Sequence, residues 1–486
     1  MKPVRILIFF AGVFLLLLTV AALFPKDGIQ ISGDIRLRFT TPEQILGRDT
    51  LLYADISQIV IDYSEDAIPE IPTEPEAEIT DTLRTVDPVE VLAVSSDSIR
   101  KKTCPILFPD RKSNLLFPFY LQLDRIARGE GSLRIVHYGD SQIENDRMTS
   151  LIRQNFQKVF GGYGCGIVSA IPLYSGNPAY AETWSGEWER FTIFGKRDSS
   201  VHHNSYGAMG AFAALPDHGT GDWSTLTFDF LPGRRASRFD RVKMYIHSYA
   251  DSSAVAFSVN DTIRDTLAVN GGGFQILSYS PPEKADRLQV GLSLPGGGRV
   301  YGLSFESRKG VIVDNIAMRG SSGLIFSRMD SSLLKNMYRD MKVKLMILQF
   351  GGNVIPYIKD PGFYKRAFRR ELRYLRRLCP DVPFIVIGPG DMSVKEDGKY
   401  ITNAMVEPVR NALRDAALEN GCAFWDMYEA MGGKNSMPSF VQADPPLAIS
   451  DYVHFTPRGA NLMSEMFYNA LMEDYRRYLV QESRND

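Results

Sequence analysis

The stretch Arg134-Ile135-Val136-His137-Tyr138-Gly139-Asp140-Ser141-Gln142 decides how this chain is read. A run of β-branched and aromatic residues stops abruptly at Gly-Asp-Ser. That is the pattern of a buried strand delivering a serine onto a turn. α/β sheets place their chemistry at the mouth above the carboxyl ends of parallel strands. Ser141 is therefore the candidate nucleophile. Gly, Asp and Ser are also ordinary turn residues, so the tripeptide alone carries little. Weight comes from the far end of the chain, Asp451-Tyr452-Val453-His454. A serine hydroxyl is a weak nucleophile until a base takes its proton. The usual base is a histidine held in one tautomer by a carboxylate. Asp451 and His454 are close enough in sequence to share one loop. Thr456-Pro457 then suits the cap and first turn of a helix.

Around this stretch the pattern alternates. Residues 115–126 carry apolar side chains at helical spacing, and 144–160 read as a helix with Met148, Leu151, Ile152, Phe156 and Phe160 inward. A helix starting there would aim its N–H groups at the site, with Asp146 and Arg147 either lining the pocket or, as favoured, on a solvated helix turn. The glycine-rich segment 161–166 lacks the Lys-Ser/Thr of a phosphate loop and reads as a turn or pocket wall. From residue 310 onward, strands at 311–316, 343–350, 382–387 and 423–425 alternate with helices at 327–342, 363–378, 405–419 and 457–479. Such alternation predicts a mostly parallel sheet. Asp391 also follows a strand and is a weaker rival to Asp451.

These residues resemble the SGNH, or GDSL-type, hydrolases. Gly139-Asp140-Ser141 matches the family's first block, Gly351-Gly352-Asn353 its third, and Asp451 with His454 the DxxH of its last. Asp314-Asn315-Ile316-Ala317-Met318-Arg319-Gly320 lies where the second block supplies a glycine. All four blocks stand in the right order. Gln142 replaces a common Leu, a change expected to matter little, and Val354 follows Asn353 where the fuller motif has Asp. The resemblance implies a three-layer α/β/α domain. It also implies an oxyanion hole made by the Ser141 N–H, the Gly320 N–H and the Asn353 side chain. Neither a metal nor an organic cofactor is implied.

Between residues 187 and 309 helical spacing disappears. Short alternating runs at 226–230, 241–247, 254–259 and 287–292 are separated by turns rich in Gly, Pro, Asn and Asp. This is the signal of an antiparallel β-sandwich interrupting the α/β pattern. Its aromatics, Trp184, Trp188, Trp223 and Tyr245, either stack on sugar rings or fill the sandwich core. The adjacent pair His202-His203 is poorly placed to turn both rings to one metal ion.

At the amino terminus, Lys2 and Arg5 precede an apolar run of 19 residues, 6–24. As a helix it would extend about 28 Å, close to the ~30 Å hydrocarbon thickness of a bilayer. Signal-peptide cores are shorter and end in a small-x-small site. An uncleaved anchor is favoured over a cleaved signal, with the remainder exported. Residues 62–100 mix acidic residues with prolines and read as a flexible linker that buries too little apolar surface to order itself.

The 486 residues, 44% hydrophobic and 23% charged, afford a large core, and the net charge of −2 argues against a nucleic-acid partner. Cys104, Cys165, Cys379 and Cys422 lack metal-ligand spacing and read as thiols. The expected division is an anchor at 1–25, stem and linker at 26–110, and the first part of the hydrolase domain at 111–186. The inserted sandwich follows at 187–309 and the second hydrolase part at 310–486. The chemistry expected is acyl transfer from an ester. An anchored hydrolase with a sandwich insert resembles the family's peptidoglycan O-acetylesterases, which implies an acetylated cell-envelope glycan as substrate. Two alternatives remain open. One is a polysaccharide O-acetyltransferase fed by a membrane acyltransferase partner. The other is a glycan-binding protein without catalysis.

Overall fold

The computed structural model describes residues 3–25, 29–32, 35–37, 39, 53–57, 59, 104–110, 113–174, 176–217 and 222–482. The chain divides into two units, Met1–Tyr53 and Ala54–Asp486. The first contains a helix, Pro3–Leu23, and a short antiparallel pair, Ile29–Ser32 with Ile35–Leu37. Within that helix, Val4–Leu23 is long and apolar enough to cross a membrane.

The second unit is built on a five-stranded parallel sheet. Its order is Gly310–Ala317, Ser132–Gly139, Val343–Gln349, Phe384–Ile387 and Ala423–Trp425. Strands buried on both faces read as continuous apolar runs, which is why the sequence exposes them. Side chains alternate between two cores. Leu133 and Ile135 join the helices Phe117–Ala127, Thr149–Phe160 and Pro457–Glu482. Val136 and Tyr138 join Ser331–Met341, Pro361–Leu378 and Val406–Glu419. The result is the expected SGNH-like α/β/α layering.

Two further sheets, of five and six strands, pair antiparallel and share one core that includes Leu226, Phe228, Met244, Val255, Phe257 and Val290. The five-stranded sheet begins with Tyr180–Ser185, which pairs with Ser224–Phe230. The sandwich therefore starts before the expected boundary at 187. Four of the six residues of this edge strand are exposed, so it shows little of the apolar alternation that marks the inner strands. Gly166–Val168 also joins the six-stranded sheet through Gly298–Glu306. Tyr245 is buried in the core it shares with the helix Ser331–Met341 rather than in the sandwich core, and it donates to Asp340 at 2.9 Å, so it offers no sugar platform. Trp188 packs against the sandwich core, whereas Trp184 and Trp223 remain half-exposed.

The 26–110 stem also needs correction. Leu107 bridges Phe424 at the sheet edge, and Trp425 Nε1 donates to the Cys104 carbonyl at 3.0 Å. Ile56 is buried in the first core, and Ser439 Oγ donates to the Ala54 carbonyl at 2.7 Å. Ala54 and Ile56, and Cys104 to Leu107, thus belong to the catalytic unit. The acidic stretch 62–100 lies outside the described residues. All four cysteines are thiols.

Candidate active site

The Ser132–Gly139 strand ends beside both neighbours, with Gly139 paired to Ala317 on one side and Gln349 on the other. Gly139 must be small: a Cβ there would lie 2.9 Å from the Ile143 side chain and 3.1 Å from the Gln349 carbonyl. The chain then turns. Asp140 N–H donates to the Gln349 carbonyl at 3.2 Å, and Asp140 Oδ1 accepts from Gln142 N–H at 3.0 Å. This caps a short 3-10 turn, Ser141–Asp146, and sets Ser141 at its first position. Burial pushes the Asp140 carboxyl up to about 6, against the opposing pull of the Gln142 N–H, His454 and the Asn353 side chain.

The partners of Ser141 arrive on a tight loop. Asp451 Oδ1 accepts the N–H groups of Val453 at 2.9 Å and His454 at 3.0 Å. Tyr452 adopts a left-handed conformation, φ 58°, within this turn. Ile449 N–H donates to the His454 carbonyl at 2.9 Å. Thr456 Oγ1 accepts from Gly459 N–H at 3.2 Å, capping the last helix as its sequence suggested. The loop presents His454 Nε2 to Ser141 Oγ at 2.8 Å and His454 Nδ1 to Asp451 Oδ2 at 2.7 Å. Ser141 and the 451–454 loop, distant in sequence, therefore form one hydrogen-bonded relay. Burial raises the Asp451 carboxyl, but the N–H groups of His454 and Val453 and the imidazole outweigh it and hold it below the usual range. Asp391 takes no part. It is buried elsewhere and accepts from Met437 N–H at 2.8 Å.

Gly320 lies on the exposed turn just past the Gly310–Ala317 strand, with φ 75° and open space where a Cβ would stand. Asn353 follows the Val343–Gln349 strand, and its amide donates to the Ser321 carbonyl at 3.2 Å. The residues expected to bind an oxyanion thus occupy the loops flanking Ser141 on either side.

Four details escaped the sequence reading. Gln142 Nε2 donates to the Val453 carbonyl at 2.7 Å, tying the serine turn to the histidine loop, so this position matters more than expected. The helix after Ser141 begins at Thr149 rather than 144, because Glu144 is extended and Asn145 and Asp146 are left-handed. Asn and Asp tolerate that region well, so this adjacent pair was a signal available in the sequence. Asp146 is not solvated but buried in an ion pair with Arg153, and buried Glu144 pairs with Arg319 beside Gly320. The hairpin Ser393–Glu396 with Lys399–Thr402 stacks Tyr400 on Tyr452 at 3.5 Å between ring centroids, 8° from parallel.

Residues 291–462 match the model of the GDSL-like Lipase/Acylhydrolase family. The chain carries a GDSL-like acylhydrolase domain. The match includes Gly320, Asn353, Asp451 and His454 and stops short of Ser141, which the sandwich separates from them in sequence. The GDSL-like domain places the protein among esterase-type hydrolases. Its fold is similar to a solved peptidoglycan O-acetylesterase, with 22% identity over 74% of this chain and 96% of that chain, at a TM-score of 0.59. A family two carbohydrate esterase from Cellvibrio japonicus is 10% identical over 62% of this chain and 99% of that one, at a TM-score of 0.24. An acetyl xylan esterase is 13% identical over 33% and 81%, at a TM-score of 0.27. The last two scores are too low to bear on the fold. Among curated proteins, none matches the chain.

Proposed function

We propose that this protein is a serine esterase that removes O-acetyl groups from a cell-envelope glycan through an acyl-enzyme. The observation that carries the reading is the relay itself, Ser141 Oγ to His454 Nε2 at 2.8 Å and His454 Nδ1 to Asp451 Oδ2 at 2.7 Å. With Nδ1–H donated to Asp451, Nε2 is free to accept the serine proton. Ser141 Oγ then attacks the acetyl carbonyl, and the imidazolium is stabilised by Asp451. The oxyanion is received by the N–H groups of Ser141 and Gly320 and by the Asn353 amide, each such donor worth about 3 kcal/mol in the transition state. His454 returns the proton to the departing sugar oxygen, leaving acetyl on Ser141. Water, deprotonated by His454, attacks that ester, and acetate and free Ser141 are released.

The glycan part of the reading draws on the fold shared with a peptidoglycan O-acetylesterase and on the half-exposed triad, which is open to a polymer. The apolar helix Val4–Leu23 suits a membrane anchor with the catalytic unit exported. It also favours a second reading, in which a sugar hydroxyl replaces water and a membrane acyltransferase supplies the acetyl group. Measuring free acetate against acetate transferred to a chitooligosaccharide separates the two. The esterase reading expects free acetate, lost in Ser141→Ala. Predominant transfer would favour the second reading, and full turnover in Ser141→Ala would remove both.

A further inference from the structure

The Gly320 N–H is carried by a turn whose form is open to choice. Ser321 N–H donates to the Met318 carbonyl at 2.9 Å, closing a turn with Arg319 and Gly320 at its centre. Gly320 has φ 75°, and Arg319 stays out of the left-handed region. That combination is a type II turn. Types I and II differ by a flip of the central peptide: ψ of the second residue moves from about −30° to about +120°, and φ of the third from about −90° to about +80°. The central peptide here joins Arg319 to Gly320, so the form of the turn decides which way the Gly320 N–H points. Glycine is at ease in both forms, and residue 320 therefore does not fix the direction of its own donor. The ends of the turn are pinned. Met318 N–H donates to the Gly139 carbonyl at 2.8 Å, and the Ser321 carbonyl accepts from the Asn353 amide at 3.2 Å. The Gly320 N–H itself meets no partner among the described residues.

Arg319, the residue before that donor, is gripped from two directions. Its guanidinium makes a two-pronged pair with Glu144, Nε to Oε2 at 2.5 Å and Nη2 to Oε1. The same guanidinium lies 4.8 Å from the centre of the Tyr174 ring. The Tyr174 hydroxyl accepts from the Arg319 N–H at 2.8 Å and donates to the Ala317 carbonyl at 3.4 Å, so it touches the backbone on both sides of Met318. Glu144 is buried and extended on the turn that Ser141 begins. Tyr174 lies on the segment that leads into the sandwich edge strand Tyr180–Ser185. The Arg319 side chain is 61% exposed, so solvent screens the pair and it adds little to stability. A two-pronged pair does supply geometric specificity. Its effect falls on the orientation of the peptide that follows Arg319.

We propose that Glu144 and Tyr174 are positioning residues which, through Arg319, hold the Met318–Ser321 turn in the form that aims the Gly320 N–H at the oxyanion. This role rests on the serine-esterase reading above. The test compares p-nitrophenyl acetate with its thiono analogue, in which sulfur replaces the carbonyl oxygen. Sulfur is a weak acceptor, so an aligned oxyanion donor favours the oxygen ester. The full chain in detergent micelles should prefer the oxygen ester by about tenfold or more in kcat, after correction for hydrolysis of each ester by hydroxide. Losing an oxyanion donor outright costs about 10²- to 10³-fold. Misaiming one should cost about tenfold, so Glu144→Ala and Tyr174→Phe should each lower kcat on the oxygen ester by that factor with KM unchanged. Turnover of the thiono ester should fall less than twofold, which shrinks the preference. Arg319→Lys, which keeps the charge and loses the fork, should match Glu144→Ala, and Glu144→Gln, which keeps one acceptor, should recover part of the loss. Tm should hold in all four, because Arg319 is solvated with or without its partner. Equal losses on both esters, or no loss on either, in Glu144→Ala and Tyr174→Phe would overturn the role. So would a wild type that turns over both esters alike. Failure of the esterase reading appears separately, as oxygen-ester turnover that survives Ser141→Ala.

Discussion

Asp451→Asn is the substitution whose outcome follows most directly from the geometry. Asp451 uses its two oxygens differently. Oδ1 accepts two backbone N–H groups that shape the loop, and Oδ2 accepts His454 Nδ1–H. An asparagine keeps the first role with its carbonyl and reverses the second, presenting an N–H₂ to Nδ1. The imidazole must then carry its proton on Nε2, where it cannot accept from Ser141. The lost attraction to the imidazolium adds to this. For charges about 4 Å apart it is about 4 kcal/mol at an effective dielectric of 20 and about 1 kcal/mol in bulk water. The His454 and Asp451 side chains are 28% and 41% exposed, so solvent screening places the value between those limits, at about 2 kcal/mol. With the tautomer penalty, kcat on p-nitrophenyl acetate should fall about 10²- to 10³-fold, less than the ~10⁴ typical of a buried triad. KM and thermal stability should change little, because the loop contacts survive. Retention of more than a tenth of wild-type kcat, with the fold intact, would refute the role given to Asp451.

Gln142→Leu removes the tie to the Val453 carbonyl, a neutral hydrogen bond worth about 1 kcal/mol. Steady-state kinetics should show kcat reduced about fivefold with KM unchanged, and an unchanged kcat would mean the histidine loop holds its place alone. Tyr400→Ala deletes the ring stacked on left-handed Tyr452, so kcat should again drop about three- to tenfold, matching a stacking term of about 1 kcal/mol. Tyr400→Phe should restore it; equal loss in both variants would contradict a role for the ring. His137 provides a pH test. It is buried between Gln349 Oε1 and Thr149 Oγ1, each at 3.0 Å, and burial pulls it from 6.5 down to about 4. Between those values the unfolded chain binds a proton that the fold does not. This contribution to stability is therefore complete above pH 6.5 and disappears as pH falls through 4, amounting to about 3 kcal/mol. Buried Asp140 and Asp474, raised to about 6, oppose this trend, so the test is a comparison. His137→Gln should lose less Tm than wild type between pH 6.5 and 4.5, and parallel losses would count against a neutral buried imidazole.

The parallel sheet was legible because strands buried on both faces are written as unbroken apolar runs such as 345–348 and 384–387. The sandwich strands were legible wherever one face is wet, as at Ser253–Val259, where burial alternates residue by residue. The relay was readable from residue type, since few combinations other than Ser with Asp-x-x-His place a base and its carboxylate on one short loop. What stayed hidden depends on pairing across long sequence separation. Nothing near Glu144 indicates that its partner is Arg319, and nothing near Gln142 indicates the Val453 carbonyl. The docking of Ala54 and Ile56 onto the catalytic unit is set by a surface formed some 380 residues later.

Acyl transfer here requires Ser141 to be the nucleophile and His454 to make it reactive. The measurement that tests it most directly is covalent capture with a fluorophosphonate, read by intact mass and peptide mapping. One adduct per chain is expected, on Ser141, absent in Ser141→Ala and formed far more slowly in His454→Ala. An adduct on another residue in a protein that still cleaves acetyl esters, or labelling of Ser141 at an unchanged rate without His454, would contradict it.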